Sequence, residues 1–177
     1  MPTPLINRLY EDSKLLLEKL LADGEISLAT TVDDIFRKTL LLAAASFFEQ
    51  AIGEAILEYV AEKADSDAAV VSLTKVKAID RQYHTYFDWN ASNANSFFGH
   101  FGEQYKKYAK AKVDGDPVLK ESIRAFLEVG SLRNQLVHQN YATFTLEKTA
   151  DEIYSLYTSA LIFIDFLPGS FRDFTDK

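Results

Sequence analysis

Cysteine is absent from this 177-residue chain, which removes disulfides, thiolate nucleophiles and cysteine-ligated zinc from consideration. Glycine and proline are scarce, at seven and four, so the sequence encodes few sharp reversals. Strongly alternating apolar–polar stretches are scarce as well, which argues against strands. The longest nearly continuous apolar run, 40–48 with Ser46 inside it, is well short of the roughly 20 residues that span a bilayer. The opening Met1-Pro2-Thr3-Pro4 has no basic stretch followed by an apolar segment, so the expected location is cytoplasmic, with no membrane partner. Positive charge is in the minority: 19 Lys plus Arg stand against 26 Asp plus Glu, for a net charge of −7. That excludes a broad DNA-type electrostatic footprint, which needs many cations against phosphates, but leaves room for a small basic cleft.

Helical spacing dominates what is present. The length is that of one domain, 1–177, able to bury a core of its own. A first helix is expected over 4–22, with Leu5, Leu9, Leu16 and Leu20 on one stripe and Asp23-Gly24 ending it. Thr31 is expected to cap a second helix reaching about residue 63, with Asp33 and Asp34 at its positive end. Its stretch 40–48 is apolar nearly all round, which places it centrally. A turn at 64–67 leads to a shorter helix through Val70, Val71, Leu73, Val76 and Ile79. Residues 81–96, rich in aromatics and Asn, have no period and read as an irregular connection. One helix is then expected to carry Phe97, Phe98, Phe101 and Tyr105 into the basic run Lys106, Lys107, Lys110, Lys112. Asp116-Pro117 opens the next helix as N-cap and first residue. Thr149 and Glu152 form a capping box for a last helix ending near Pro168-Gly169. The class is all-α, an up-and-down bundle with Phe47, Phe48, Phe126 and Phe163 in its core.

The chemistry gathers in Ser131-Leu132-Arg133-Asn134-Gln135-Leu136-Val137-His138-Gln139-Asn140-Tyr141. A guanidinium grips phosphate with paired hydrogen bonds, and an imidazole moves protons near neutral pH. At about 100° per residue, Arg133 and His138 point roughly 140° apart, whereas Asn134 and His138 share a face. An Asn134 carbonyl accepting from one imidazole nitrogen would fix the ring's tautomer. Arg133 then reaches the same site through its long side chain, through a distorted helix end, or from a second subunit. Such groups suit metal-free RNA cleavage, in which a base takes the 2′-hydroxyl proton, an acid protonates the leaving 5′-oxygen, and a cation stabilises the phosphorane. The same Arg and His would also favour a helix C-terminus without any catalytic role.

With Arg133, Asn134 and His138 spaced as Arg-Asn-x3-His, the chain resembles the HEPN superfamily of all-helical domains. Phe47-Phe48-Glu49-Gln50-Ala51-Ile52 is similar to the acidic position in the apolar second helix of HEPN groups from RNA processing and defence. The resemblance covers roughly 26–167, leaving the first helix as an N-terminal addition. It implies a metal-independent endoribonuclease, acting as a homodimer on single-stranded RNA and leaving 2′,3′-cyclic phosphate and 5′-hydroxyl ends. It further implies a toxin or antiviral effector, with an antitoxin or regulatory protein as its expected partner. The alternative it implies is a non-catalytic module binding RNA, nucleotide or a protein partner; a purely structural bundle is a third reading. HEPN toxins modified by a nucleotidyltransferase usually carry Tyr two residues after the His. Here that position is Asn140, and Tyr141 follows it.

Glu49 is a candidate supporting group for Arg133 or His138; its structural readings are an internal salt bridge or a side chain facing solvent. Lys106, Lys107 and Lys110, interleaved with Tyr105 and Tyr108, are candidate RNA contacts or simply a solvated helix face. His84 and His100 are isolated, and no metal or cofactor is expected.

Overall fold

In the computed structural model, which describes residues 4–174, eight helices and no strand form among the described residues. Met1, Pro2 and Thr3, part of the stretch read above for an export signal, lie outside them. The helices are α1 (Pro4–Ala22), α2 (Ile26–Lys63), α3 (Ala68–Thr74), α4 (Tyr83–Tyr86), α5 (Asn95–Gly99), α6 (Glu103–Asp114), α7 (Pro117–His138) and α8 (Ala150–Asp173). One π-helical turn, Lys75–Ile79, continues α3.

The centre is α2, packed against both α7 and α8, which also pack on each other. Its apolar girdle explains this: Leu40, Leu41, Ala44 and Ile52 are fully buried, and Phe48 nearly so. An 18-residue window of α2 has mean hydropathy 1.5, long and apolar enough to cross a membrane by length and composition, although its longest unbroken run is short. Half of that window is buried inside the fold. Phe48 stacks on Tyr157 there at 5.7 Å between centroids and meets Phe126 at a tilt at 5.5 Å.

The first helix lies along α2 and clips onto α8. Tyr10 stacks on Tyr154 at 4.0 Å, and the Tyr154 hydroxyl donates to Asn7 Oδ1 at 2.8 Å. Ile6 and Tyr10 are its buried residues, with Leu9 and Leu17 packed beside them. The expected stripe is therefore shifted: Leu5 and Leu16 face outward, because the neighbour they would need is not on that side.

Local capping signals mostly hold. Asp116 Oδ1 accepts from the backbone N–H groups of Val118 and Leu119, at 2.9 and 3.1 Å. Thr149 and Glu152 form the reciprocal capping box. Thr31, in contrast, lies inside α2, its hydroxyl donating to the Ser27 carbonyl at 3.2 Å. The helix starts five residues earlier, immediately after Gly24 turns the chain at φ +79°. Asp33 and Asp34 pair instead with Arg37 and Lys38, one turn on.

Two further boundaries moved. The helix expected from Phe97 to Lys112 is broken at Gly102, whose φ of +93° is a left-handed backbone that glycine adopts without steric cost. The last helix passes through Pro168 and ends at Asp173. A proline there removes one intrahelical hydrogen bond, but Leu167 and Phe171 are buried on either side of it. Ser170 Oγ, within 2.7 Å of the Tyr105 hydroxyl, anchors the final turn.

Candidate functional site

Gly130 decides how the site is assembled. It lies inside α7, one turn before Arg133, where glycine weakens a helix by about 0.5–1 kcal/mol relative to alanine. The compensation is contact: a Cβ added at Gly130 would stand 2.0 Å from Trp89 Cζ3 and 2.2 Å from Cε3. The indole therefore rests directly on the α7 backbone. Its Nε1 donates to the His84 carbonyl at 3.0 Å, while Phe87 and Tyr83 pack on its ring at 5.1 and 5.5 Å. Residues 81–89, expected to be irregular, are thereby fastened across α7 and contain the short helix α4. Arg81 enters this segment at φ +63°, in the left-handed region where a non-glycine residue is strained.

The result is a cleft of about 450 Å³, lined by Glu49 from α2, Arg81, Tyr83 and His84 from the fastened segment, and Arg133, Asn134, Val137 and His138 from α7. That volume is within the range of small-ligand sites. Turning about 100° per residue, Arg133, Val137, Asn134 and His138 fall at roughly 0°, 40°, 100° and 140° on the helix. They form one continuous arc, so a second subunit is not needed to bring Arg133 and His138 to the same cleft. Arg133 and Asn134 are half-buried, whereas His138, His84, Arg81 and Glu49 are exposed.

The expected Asn134–imidazole bond is not formed. Asn134 Oδ1 accepts from Arg133 Nη1 at 3.2 Å, so the amide orients the guanidinium instead. Residues 133 and 134 are adjacent on α7, so this bond is a local one, and both residues line the cleft with His138. Tyr83 forms the buried floor, only 8 % exposed. Burial holds its phenol well above the usual tyrosine range; the Glu49 charge adds to this and the Arg133 charge opposes it. Tyr83 is thus a neutral surface between an anion and a cation.

The other sequence candidates lie elsewhere. Tyr141, 42 % exposed, follows α7 and is not in the cleft lining. Its carbonyl accepts from the buried Lys38 ammonium at 3.0 Å, and its ring sits 5.1 Å from the same ammonium. Lys106 pairs with Glu103 at 3.3 Å, and Lys107 is exposed on α6. Lys110 lines a second cleft, of about 310 Å³, with Lys120 and Arg124. None of these three lysines lines the cleft that holds Arg133 and His138. Glu49, His84 and His138 share that cleft, yet no group of three His, Asp or Glu side chains close enough to hold a metal ion is found among the described residues.

Sequence reasoning missed Arg81, Tyr83 and His84. A signal was available: glycine inside a helical pattern costs about 1 kcal/mol against alanine, and Gly130 stands in such a pattern three residues before the motif.

A model of the RiboL-PSP-HEPN family matches residues 7–173, which takes in most of α1. No curated protein and no solved structure matches the chain.

Proposed function

The chain belongs to the RiboL-PSP-HEPN family, and from that premise we propose that it is a metal-independent endoribonuclease whose active site is the cleft between α2, residues 81–89 and the end of α7. Membership by itself points to an RNase or a nucleotide-binding module. The observation that favours catalysis is the meeting of Arg133, Asn134 and His138 with Glu49 in one open cleft.

In this reading Arg133, steadied by Asn134, holds the non-bridging oxygens of the scissile phosphate. His138 transfers a proton, either from the 2′-hydroxyl or to the leaving 5′-oxygen. The O2′–P bond forms as the P–O5′ bond breaks, leaving a 2′,3′-cyclic phosphate and a 5′-hydroxyl. Glu49, lining the same cleft from α2, serves in this reading to orient Arg133 or His138. A net charge of −7 argues against a broad electrostatic footprint on nucleic acid, and a single-stranded segment is the substrate that the cleft suits. The resemblance to toxin and defence nucleases supports a cytoplasmic role with an antitoxin or regulatory protein, and Tyr141 is the tyrosine on which modification would be sought.

The test is cleavage of single-stranded RNA in excess EDTA, read by the end groups formed. Arg133→Ala and His138→Ala are expected to lose about 10²–10⁴-fold in rate, the scale of a positioned acid–base group. Equal cleavage by wild type and both variants would remove the site. Tight RNA or nucleotide binding without cleavage would return the protein to the binding-module reading.

A further inference from the structure

Cleavage by transesterification needs two proton transfers on different sides of phosphorus, and α7 supplies one imidazole. We propose that His84 is the second proton-transfer group, so that a single chain carries a complete acid–base pair. This rests on the nuclease reading above.

Three observations carry it. First, His84 and His138 line the same cleft from different walls, one on the segment fastened to α7 and the other in the last turn of α7. Second, both imidazoles are exposed, and neither has a hydrogen-bond partner among the described residues, so each is free to face substrate. Third, the backbone of His84 is held although its ring is not. Trp89 Nε1 grips the His84 carbonyl, and the Trp89 ring is seated on Gly130. The fastened main chain fixes where the His84 side chain starts on the cleft wall, and its exposed ring leaves the nitrogens open to substrate.

The step balances within the chain. The neutral imidazole takes the 2′-hydroxyl proton as O2′ bonds to phosphorus; the protonated one gives its proton to O5′ as P–O5′ breaks. Exchange with water resets both rings. Arg81, on the same wall as His84, adds a second guanidinium beside Arg133 for the developing charge. The charged and titratable groups sharing the cleft with His84 are Glu49 from α2, Arg81 and Tyr83 from its own segment, and Arg133 and His138 from α7.

The experiment compares wild type, His84→Ala and His138→Ala on ordinary RNA and on RNA with a 5′-bridging sulfur at the scissile bond, whose thiolate leaves without protonation. His84→Ala is expected to slow ordinary RNA by about 10²–10⁴-fold and to remove one limb of the bell-shaped pH–rate profile. Its melting temperature should be unchanged, since the Trp89 bond is to the main chain. The sulfur substrate is expected to restore one histidine variant and not the other, which names the acid. Restoration of both, or of neither, overturns the division of labour. If wild type is active and His84→Ala equals it, His84 has no such role while the nuclease reading stands. If wild type is inert on RNA, both fail.

Discussion

Gly130 and Trp89 show how far one residue can govern this cleft. The indole occupies the volume that any side chain at position 130 would need, and rigid ring atoms at 2.0 and 2.2 Å cannot be displaced cheaply. Gly130→Ala is expected to cost about 1–3 kcal/mol, as overpacking usually does, read as a fall in thermal unfolding temperature of about 2–4 °C per kcal/mol for a chain of this size. RNA cleavage should fall with it, because the wall bearing His84 moves. A variant that melts like wild type would show that Trp89 does not depend on this seat. Lys38 governs the other side of the motif in the same way. Its ammonium, 1 % exposed, lies 2.7 Å from Asp34 Oδ2 and 3.0 Å from the Tyr141 carbonyl. It ties α2 to the loop that leaves α7.

At the scale of the element, the start of α8 is a charged joint with α1. The Tyr10 hydroxyl donates to Asp151 Oδ1 at 2.5 Å and Lys14 Nζ approaches it at 3.2 Å; these two hold the Asp151 carboxyl below its usual range. Glu152 is held low by the Thr149 backbone N–H first and by the Thr149 hydroxyl second. Both carboxylates also face the positive end of the α8 dipole. A depressed folded-state value means stability that is present above the ordinary values of 3.8 and 4.5 and lost as pH falls through the lower folded values. The double variant Asp151→Asn, Glu152→Gln is therefore expected to melt below wild type near neutral pH, the gap closing as pH drops under 3.8. A gap that stays constant across that range would contradict the sign. The caps on α7 and α8 were legible because a cap is a local matter of three or four residues. Thr31 carried the same signal and failed, since α2 already has its start at Ile26 and the hydroxyl bonds back to Ser27 instead. Pro168 failed as a stop because the burial of Phe171 beyond it outweighs one missing hydrogen bond.

For the whole molecule, the expected homodimer is a matter for solution measurement. Arg133 and His138 reach one cleft within one chain, and dimerisation is proposed on the family resemblance alone. Sedimentation at micromolar concentration is expected to give a particle of twice 20.0 kDa. A monomer that still cleaves RNA would remove the dimer while keeping the site.

The sequence by itself determined the helical class, most helix positions and the Arg133, Asn134, His138 triplet, because periodicity, caps and motif spacing are properties of neighbours along the chain. It also singled out Glu49, as an acid in an apolar stretch. Only the tertiary structure decided that Asn134 serves the guanidinium rather than the imidazole. The same holds for the meeting of Glu49, Arg133 and His138 and for the presence of Arg81 and His84 beside them. Arg81 and His84 are held against α7 by a tryptophan lying on a glycine 41 positions further along. Contact at that separation follows from shape and packing, which no local pattern in residues 81–89 announces.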